Sequence, residues 1–295
     1  MKLPKWLLPA LSIALIAFLL SQVDLQATAG VLSRADPAMV ILALGLTLVS
    51  LSLKTVRWQI LLSEKRRFSF AELFPVQAAG IATSNFSPGK MLEALKVVPL
   101  KERGLTYSYA MLTVFWERAF DLVVLFAFSF SVISLLDPAI GTVLTIAFIA
   151  LLALMLLMFR HYERVLALLK RHVKLAVLSE IKPHSFRKRT LLASFSVTTI
   201  AWLADGAVMF AAFRAVGLDY EFVRILSAYS ASIIVGVVSF LPGGLGSTET
   251  ALILLLGPAK DLLPQVFGAI LLGRIASLGF SSLLGFAMLP LVRKG

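Results

Sequence analysis

The chain has 295 residues, 59% of them hydrophobic and only 15% charged, and its formal net charge is +12. A soluble domain carries about 25% charged and about 45–50% apolar residues, so this composition excludes a soluble enzyme and a disordered chain. The absence of Cys removes disulfide scaffolds, thiol nucleophiles and Cys-ligated metals. On so apolar a chain, with mean hydropathy +0.92, the positive balance reads as basic loops flanking membrane spans rather than as a nucleic-acid surface.

Crossing the hydrocarbon core takes roughly 20 apolar residues in a helix. Residues 6–20, short and behind Lys2 and Lys5, read as an uncleaved anchor, with a signal peptide cleaved near Ala27-Thr28-Ala29 as the alternative. Residues 38–62 form the next span. Residues 68–85 run into Phe86-Ser87-Pro88-Gly89 and a short amphipathic piece to Val98. Spans at 106–136 and 139–159 follow. Within the basic stretch 160–189, residues 162–178 carry the pattern of an amphipathic helix lying on anionic lipid. After the span 190–216, residues 222–239 lead into Phe240-Leu241-Pro242-Gly243-Gly244 and a second short helix over 245–256. Residues 266–289 form the last span.

Pro lacks the backbone N–H and Gly favours turns, so each Pro-Gly pair interrupts a helix. Such backbone is tolerated at membrane depth only inside protein or against a water-filled cavity. If both interrupted stretches turn back, most of the 28 basic residues fall on one side, which the positive-inside rule makes cytoplasmic. The expected fold is therefore an all-α, polytopic integral membrane protein of six spans and two re-entrant hairpins. Both termini are expected inside, in a bacterial cell (inner) membrane.

The halves also echo each other. Phe86-x-Pro88-Gly89 and Phe240-x-Pro242-Gly243 lie 154 residues apart, Glu93 and Glu249 lie 156 apart, and so do Arg118 and Arg274. In both halves Glu precedes Arg by 25 residues. With one half entering from outside and the other from inside, the pattern is that of an inverted repeat, as in many secondary transporters. The expected organisation is a single transmembrane domain: 1–37 anchor and outer loop, 38–136 first repeat, 137–189 connecting span and basic loop, 190–295 second repeat.

Charges inside the spans are the candidate site. An Arg at the bilayer centre costs roughly 2.5–3.5 kcal/mol on insertion scales, so it meets a partner or a cavity. Arg118 has Glu117 and Asp121 near it in sequence, whereas Arg274 has no acid within a helical turn. Two such guanidiniums suit a phosphate, which accepts bidentate hydrogen bonds; pairing within the protein is the plainer alternative. The helix starts after Gly89 and after Gly243, Gly244 and Gly246 offer free N–H groups and a positive dipole end to an anion, with Ser247 and Thr248 adding hydroxyls; a capped tight turn is the alternative. Glu93 and Glu249 are read as proton carriers, as contacts to an amine-bearing headgroup, or as partners of Arg118 and Arg274. Lys54, Arg57 and Trp58 read first as interfacial anchors, with headgroup contact by Arg57 second. His161, His172 and His184 lie in the basic loop without metal-ligand spacing, so no metal or cofactor is expected. Neither a G-x-x-x-x-G-K-[ST] motif nor a G-x-S-x-G elbow occurs.

Arg57-Trp58 before Leu61-Leu62, Asn85-Phe86-Ser87-Pro88-Gly89 with Glu93, Glu117-Arg118 with Phe120-Asp121, and Pro242-Gly243-Gly244-Leu245-Gly246 with Thr248-Glu249 follow in that order. Through them nearly the whole chain resembles the lysylphosphatidylglycerol synthase transmembrane region. This is a flippase-like family, also met in dolichol-phosphate glucose synthetase-like proteins. The resemblance implies movement of a lipid between leaflets. In the two-domain multiple peptide resistance factors such a region is joined to an aminoacyltransferase, and the stand-alone form is expected here. Relatives associated with polyprenyl-linked sugars, hopanoids and other envelope lipids leave the substrate open. Lys90-Met91-Leu92 departs from the glycine usual before Glu93, which sets the first hairpin apart from the second.

The expected function is transport of an anionic phospholipid or polyprenyl-phosphate-linked lipid. The expected partners are a phosphate-bearing lipid and the membrane, with no nucleic acid. Two rivals stand beside it. One is an integral-membrane lipid-phosphate enzyme; the other is a non-transporting partner that seats a glycosyltransferase or lipid-modifying enzyme on the membrane.

Overall fold

Asp36 accepts a hydrogen bond from the Ala38 N–H and Pro37 takes the first helical position, so a helix start is written into three successive residues. In the computed structural model, residues 23–133 and 186–292 are described, with isolated positions between 13 and 21 and between 142 and 153. All regular structure among the described residues is helical. The α-helices are α1 (Leu25–Ser33), α2 (Pro37–Leu62), α3 (Phe70–Asn85), α4 (Val98–Glu102), α5 (Tyr107–Ile133), α6 (Lys188–Ala215), α7 (Phe222–Val238), α8 (Ser247–Leu256), α9 (Leu263–Arg274) and α10 (Phe280–Val292).

Three helical runs are long and apolar enough to cross a bilayer: α2, α6, and the continuous stretch Lys260–Val292 that contains α9 and α10. They fall on three of the six expected spans. The expected span 106–136 appears as the 27-residue α5, which carries Glu117, Arg118 and Asp121 near its centre. The spans expected at 6–20 and 139–159, and the amphipathic helix at 162–178, lie outside the described stretches.

The interrupted segments follow the sequence closely. A capping box starts α3: Ser69 Oγ accepts from the Glu72 N–H at 3.2 Å while Glu72 accepts from the Ser69 N–H at 2.6 Å. After Asn85 the chain turns, and Ser87 Oγ accepts the Leu92 N–H at 3.1 Å. The piece expected as a short amphipathic helix is instead a 3-10 helix, Pro88–Val97, leading into α4. In a 3-10 helix residues i and i+3 eclipse, so Glu93 and Lys96 share one row and meet at 3.1 Å. The chain then comes back level with its departure: Arg103 donates to the Glu72 carbonyl at 3.3 Å, and Arg66 to the Arg103 carbonyl. The second interruption repeats this path. Beyond α7, Gly243 and Gly244 adopt φ of +62° and +64°, a left-handed turn that L side chains resist. After α8, Arg224 near the start of α7 donates to the Leu256 carbonyl at 2.9 Å.

The elements exchange partners across the chain. α2 packs along α6; α3 packs on α10, and α7 on α5. One hydrophobic core forms around Trp58, Leu61, Leu73, Leu100 and Trp116, a second around Trp202, Phe213, Ile225, Leu252 and Ile270, and a smaller third around Ala43, Val208, Ala211 and Ala276. The tips of the two interrupted segments meet. A Cβ added to Gly243 would lie only 2.7 Å from the Asn85 carbonyl, and Asn85 Nδ2 donates to Ser282 Oγ at 2.9 Å.

Candidate functional site

Three cations and three anions converge where α2, α3, α5 and the 3-10 helix meet. Arg57 Nη2 lies 3.0 Å from Glu117 Oε1, and Arg57 Nη1 lies 2.6 Å from Asp121 Oδ1. Lys96 Nζ reaches Glu117 Oε2 at 2.6 Å, Glu93 Oε1 at 3.1 Å and Gln77 Oε1 at 2.9 Å, and it sits 4.6 Å above the Trp58 ring. Arg118 Nη2 lies 2.8 Å from Asp121 Oδ2 and 3.2 Å from Glu93 Oε1. Trp202 Nε1 donates to Asp121 Oδ1 at 2.8 Å and carries the network across to α6. The set is neutral, which is how charge persists in a low-dielectric interior: each ion is paired and hydrogen-bonded.

This geometry corrects the anchoring role expected of Arg57 and Trp58. Neither has any exposed surface, and the Trp58 indole donates to Thr113 Oγ1 at 3.0 Å. Arg57 is committed to carboxylates and does not line the cavity described below. Lys54, one turn earlier, also leaves the interface: its Nζ lies 2.6 Å from Asp205 Oδ2 and 5.1 Å from the Trp202 ring centroid.

Beside the tips of the two interrupted segments lies a cavity of about 90 Å³. Among its lining residues are Lys54, Asp205, Arg274, Gly243, Gly244 and Thr248. Arg274 leaves the end of α9, donates from Nη2 to the Gly243 carbonyl at 2.6 Å, and places Nε 2.6 Å from Glu249 Oε1. That last contact is an ion pair off the line of a hydrogen bond. A five-residue π-helical stretch, Ile275–Gly279, follows Arg274 and brings Ser277 and Leu278 to the same cavity.

Of the residues expected at a site, Arg274, Gly243, Gly244 and Thr248 come together on the cavity. Ser247 and Gly246 stand just behind it: Ser247 Oγ bonds Ser239 Oγ at 2.9 Å, and Gly246 has φ of +86°. The helix start at Gly246 is filled from within, because Glu249 Oε2 takes the Gly246 N–H at 2.6 Å. Gly89 lies in the first turn of the 3-10 helix. Arg118 and Glu93 belong to the charge network and are not on the cavity wall. Each Arg meets the Glu 25 residues before it, Arg118 with Glu93 and Arg274 with Glu249. Among the described residues, no group of three or more His, Cys, Asp or Glu could hold a metal ion.

Two participants escaped the sequence reading. Lys96 is not among the residues that the sequence singles out. Asp205 had a usable signal, since it is the only charged residue between Thr190 and Phe213 and an ionisable group inside a span marks a site by default.

Residues 6–285 match the family described as the lysylphosphatidylglycerol synthase TM region. The chain is 26% identical to a UPF0104 membrane protein of Pyrococcus horikoshii, over 95% of both chains. It is 23% and 24% identical to two UPF0104 membrane proteins of Methanothermobacter thermautotrophicus, covering 88% and 82% of this chain and 87% and 80% of theirs. Apolar helices long enough to cross a bilayer, a buried balanced charge network and a match over nearly its whole length agree: the chain is a membrane protein of the lysylphosphatidylglycerol synthase transmembrane-region family.

Proposed function

We propose that the protein moves a lipid with an anionic phosphate headgroup, a phospholipid or a polyprenyl-phosphate-linked lipid, between the leaflets of the membrane. The observation that carries the reading is the meeting of two interrupted helices, at Asn85 and Gly243, beside a cavity lined by Lys54 and Arg274. Backbone broken inside a membrane protein is stable where it lines a cavity, and in secondary transporters such breaks form the substrate site.

The two halves act as an inverted repeat with two re-entrant hairpins. In support, each hairpin returns to the level from which it left, α3 and α7 each pack on the last helix of the other half, and the Glu–Arg pair recurs with the same spacing. The basic side faces the cytoplasm, with both termini there, in the cell (inner) membrane. The sequence carries no nucleotide-binding loop, so an ion gradient or the lipid's own concentration difference drives the movement. The protein acts as a transporter rather than an enzyme, and a glycosyltransferase or lipid-modifying enzyme that makes or consumes the lipid is its natural partner.

The test is reconstitution of the purified protein in liposomes containing fluorescent phospholipids and polyprenyl phosphates. Acceleration of at least one phosphate lipid over protein-free vesicles, lost in Arg274→Ala, is the expected result. If no lipid class moves faster than in empty vesicles, the reading fails.

A further inference from the structure

The two cations on the cavity wall are both engaged. Lys54 holds Asp205 at 2.6 Å and Arg274 holds Glu249 at 2.6 Å, so the two cations of the lining are balanced by Asp205 on the wall and by Glu249 behind it. Donors nevertheless remain. An ammonium has three N–H bonds, and Lys54 directs one of them at Asp205. Arg274 Nε is buried without an aligned acceptor. Ser50 is 1% exposed, lies on the cavity wall, and its hydroxyl has no hydrogen-bond partner. Buried hydroxyls are ordinarily bonded, so Ser50 marks a place for an acceptor that arrives from outside the fold. The cavity, of about 90 Å³, has room for a phosphate group.

We propose that this cavity is a phosphate seat in which Lys54 and Arg274 each exchange a resident carboxylate for a phosphate oxygen, while Asp205 and Glu249 take up protons. The seat rests on the lipid-translocation reading only for the source of its phosphate. Lys54, and not Arg118, is the partner of Arg274, because Arg118 is spent on Glu93 and Asp121 away from the cavity. The charges balance. A phosphate monoester brings up to two negative charges, and one proton on each displaced carboxylate leaves the occupied cavity as neutral as the empty one. A carboxylate that loses its cation at membrane depth is cheaper neutral than charged.

The groups facing these carboxylates come from several elements. Lys54 comes from α2 and Arg274 from α9. From α7 comes Tyr229, whose phenol bonds Ser277 and feels Asp205, Glu249 and Arg274. From α5 comes Asp121, held to Trp202, whose ring also faces Lys54. The proposed exchange is confined to the two pairs.

The test is calorimetric titration of the full-length protein in detergent with geranylgeranyl monophosphate, in buffers of different ionisation heat and between pH 6 and pH 8. Tighter binding at the lower pH, with uptake of about one to two protons per ligand, is expected. Lys54→Gln is expected to weaken binding about tenfold or more, and Asp205→Asn to bind while taking up about one proton fewer. The double variant Lys54→Gln/Asp205→Asn leaves no orphan charge; it keeps the wild-type unfolding midpoint yet loses affinity like Lys54→Gln. Wild-type affinity in Lys54→Gln, or unchanged proton uptake in Asp205→Asn, overturns the seat. Inorganic phosphate, titrated in parallel, separates the sources: weaker binding than the lipid supports a lipid headgroup, and equal binding overturns the lipid assignment. Lipid movement that persists in Lys54→Gln overturns the seat and leaves translocation standing. Lys54-dependent binding without any lipid movement keeps the seat and overturns translocation.

Discussion

Glu117→Gln replaces one carboxylate oxygen by an amide at a residue with no exposed surface, whose oxygens serve Arg57 at 3.0 Å and Lys96 at 2.6 Å. Before the change, Arg57, Lys96 and Arg118 are balanced by Glu93, Glu117 and Asp121; after it, one positive charge is uncompensated. Removing one partner of a buried pair costs about 3–5 kcal/mol. For a chain of this size that is a fall in unfolding midpoint on the order of 10 °C. Lys96→Gln added to Glu117→Gln removes the surplus charge, so the double variant is expected to recover about 1–3 kcal/mol over Glu117→Gln alone. Thermal unfolding in detergent, followed by tryptophan fluorescence, reads both effects, and Trp58 lies under the Lys96 ammonium as a local reporter. An unchanged midpoint in Glu117→Gln, or a double variant less stable than the single, would refute the view that the six charges act as one balanced set.

Three further outcomes are expected. Gly285→Ala puts a methyl 2.2 Å from the Ala78 carbonyl and 2.6 Å from Ala82 Cβ, and should cost about 1–3 kcal/mol by overpacking α10 against α3; Gly30→Ala, with nothing within 4 Å, serves as the neutral control in the same melting experiment. Gly243→Ala forces a left-handed residue against the Asn85 carbonyl at 2.7 Å, a backbone cost of about 1–2 kcal/mol before any clash. Its helical circular dichroism should stay native while lipid movement in proteoliposomes is lost. Ser69→Ala removes the cap on α3, worth about 1 kcal/mol, and should speed amide hydrogen exchange in the first turn of α3 but not of α7.

Local signals carried the elements. The Pro-Gly interruptions, the Ser69 and Asp36 caps and the apolar runs are each decided within a few residues, and the helices start and stop where those residues say. Pairing with Arg118 and Arg274 is one of the three roles the sequence allows Glu93 and Glu249, and both pairs form. What local reading could not supply was the crossing of α2 with α6. Lys54 and Arg57 lie toward the end of an apolar run, where interfacial anchoring is the ordinary expectation, and only the approach of α5 and α6 turns them inward onto Asp205, Glu117 and Asp121. The 3-10 form of Pro88–Val97 was equally hidden. Its i,i+3 alignment of Glu93 with Lys96 matters because Glu117 and Gln77 wait on neighbouring helices for the same ammonium.

The exchange of partners, α3 onto α10 and α7 onto α5, has a mechanical consequence. Each half of the chain holds the other's interrupted segment, as two clasped hands hold each other's fingers. Gly285, pressed on Ala78 and Ala82, leaves no clearance for α3 to slide past α10. A displacement of either half is therefore passed to the opposite tip through the contact of Gly243 with Asn85. Under the transport function proposed above, the movements of the two interrupted segments are coupled without a separate latch.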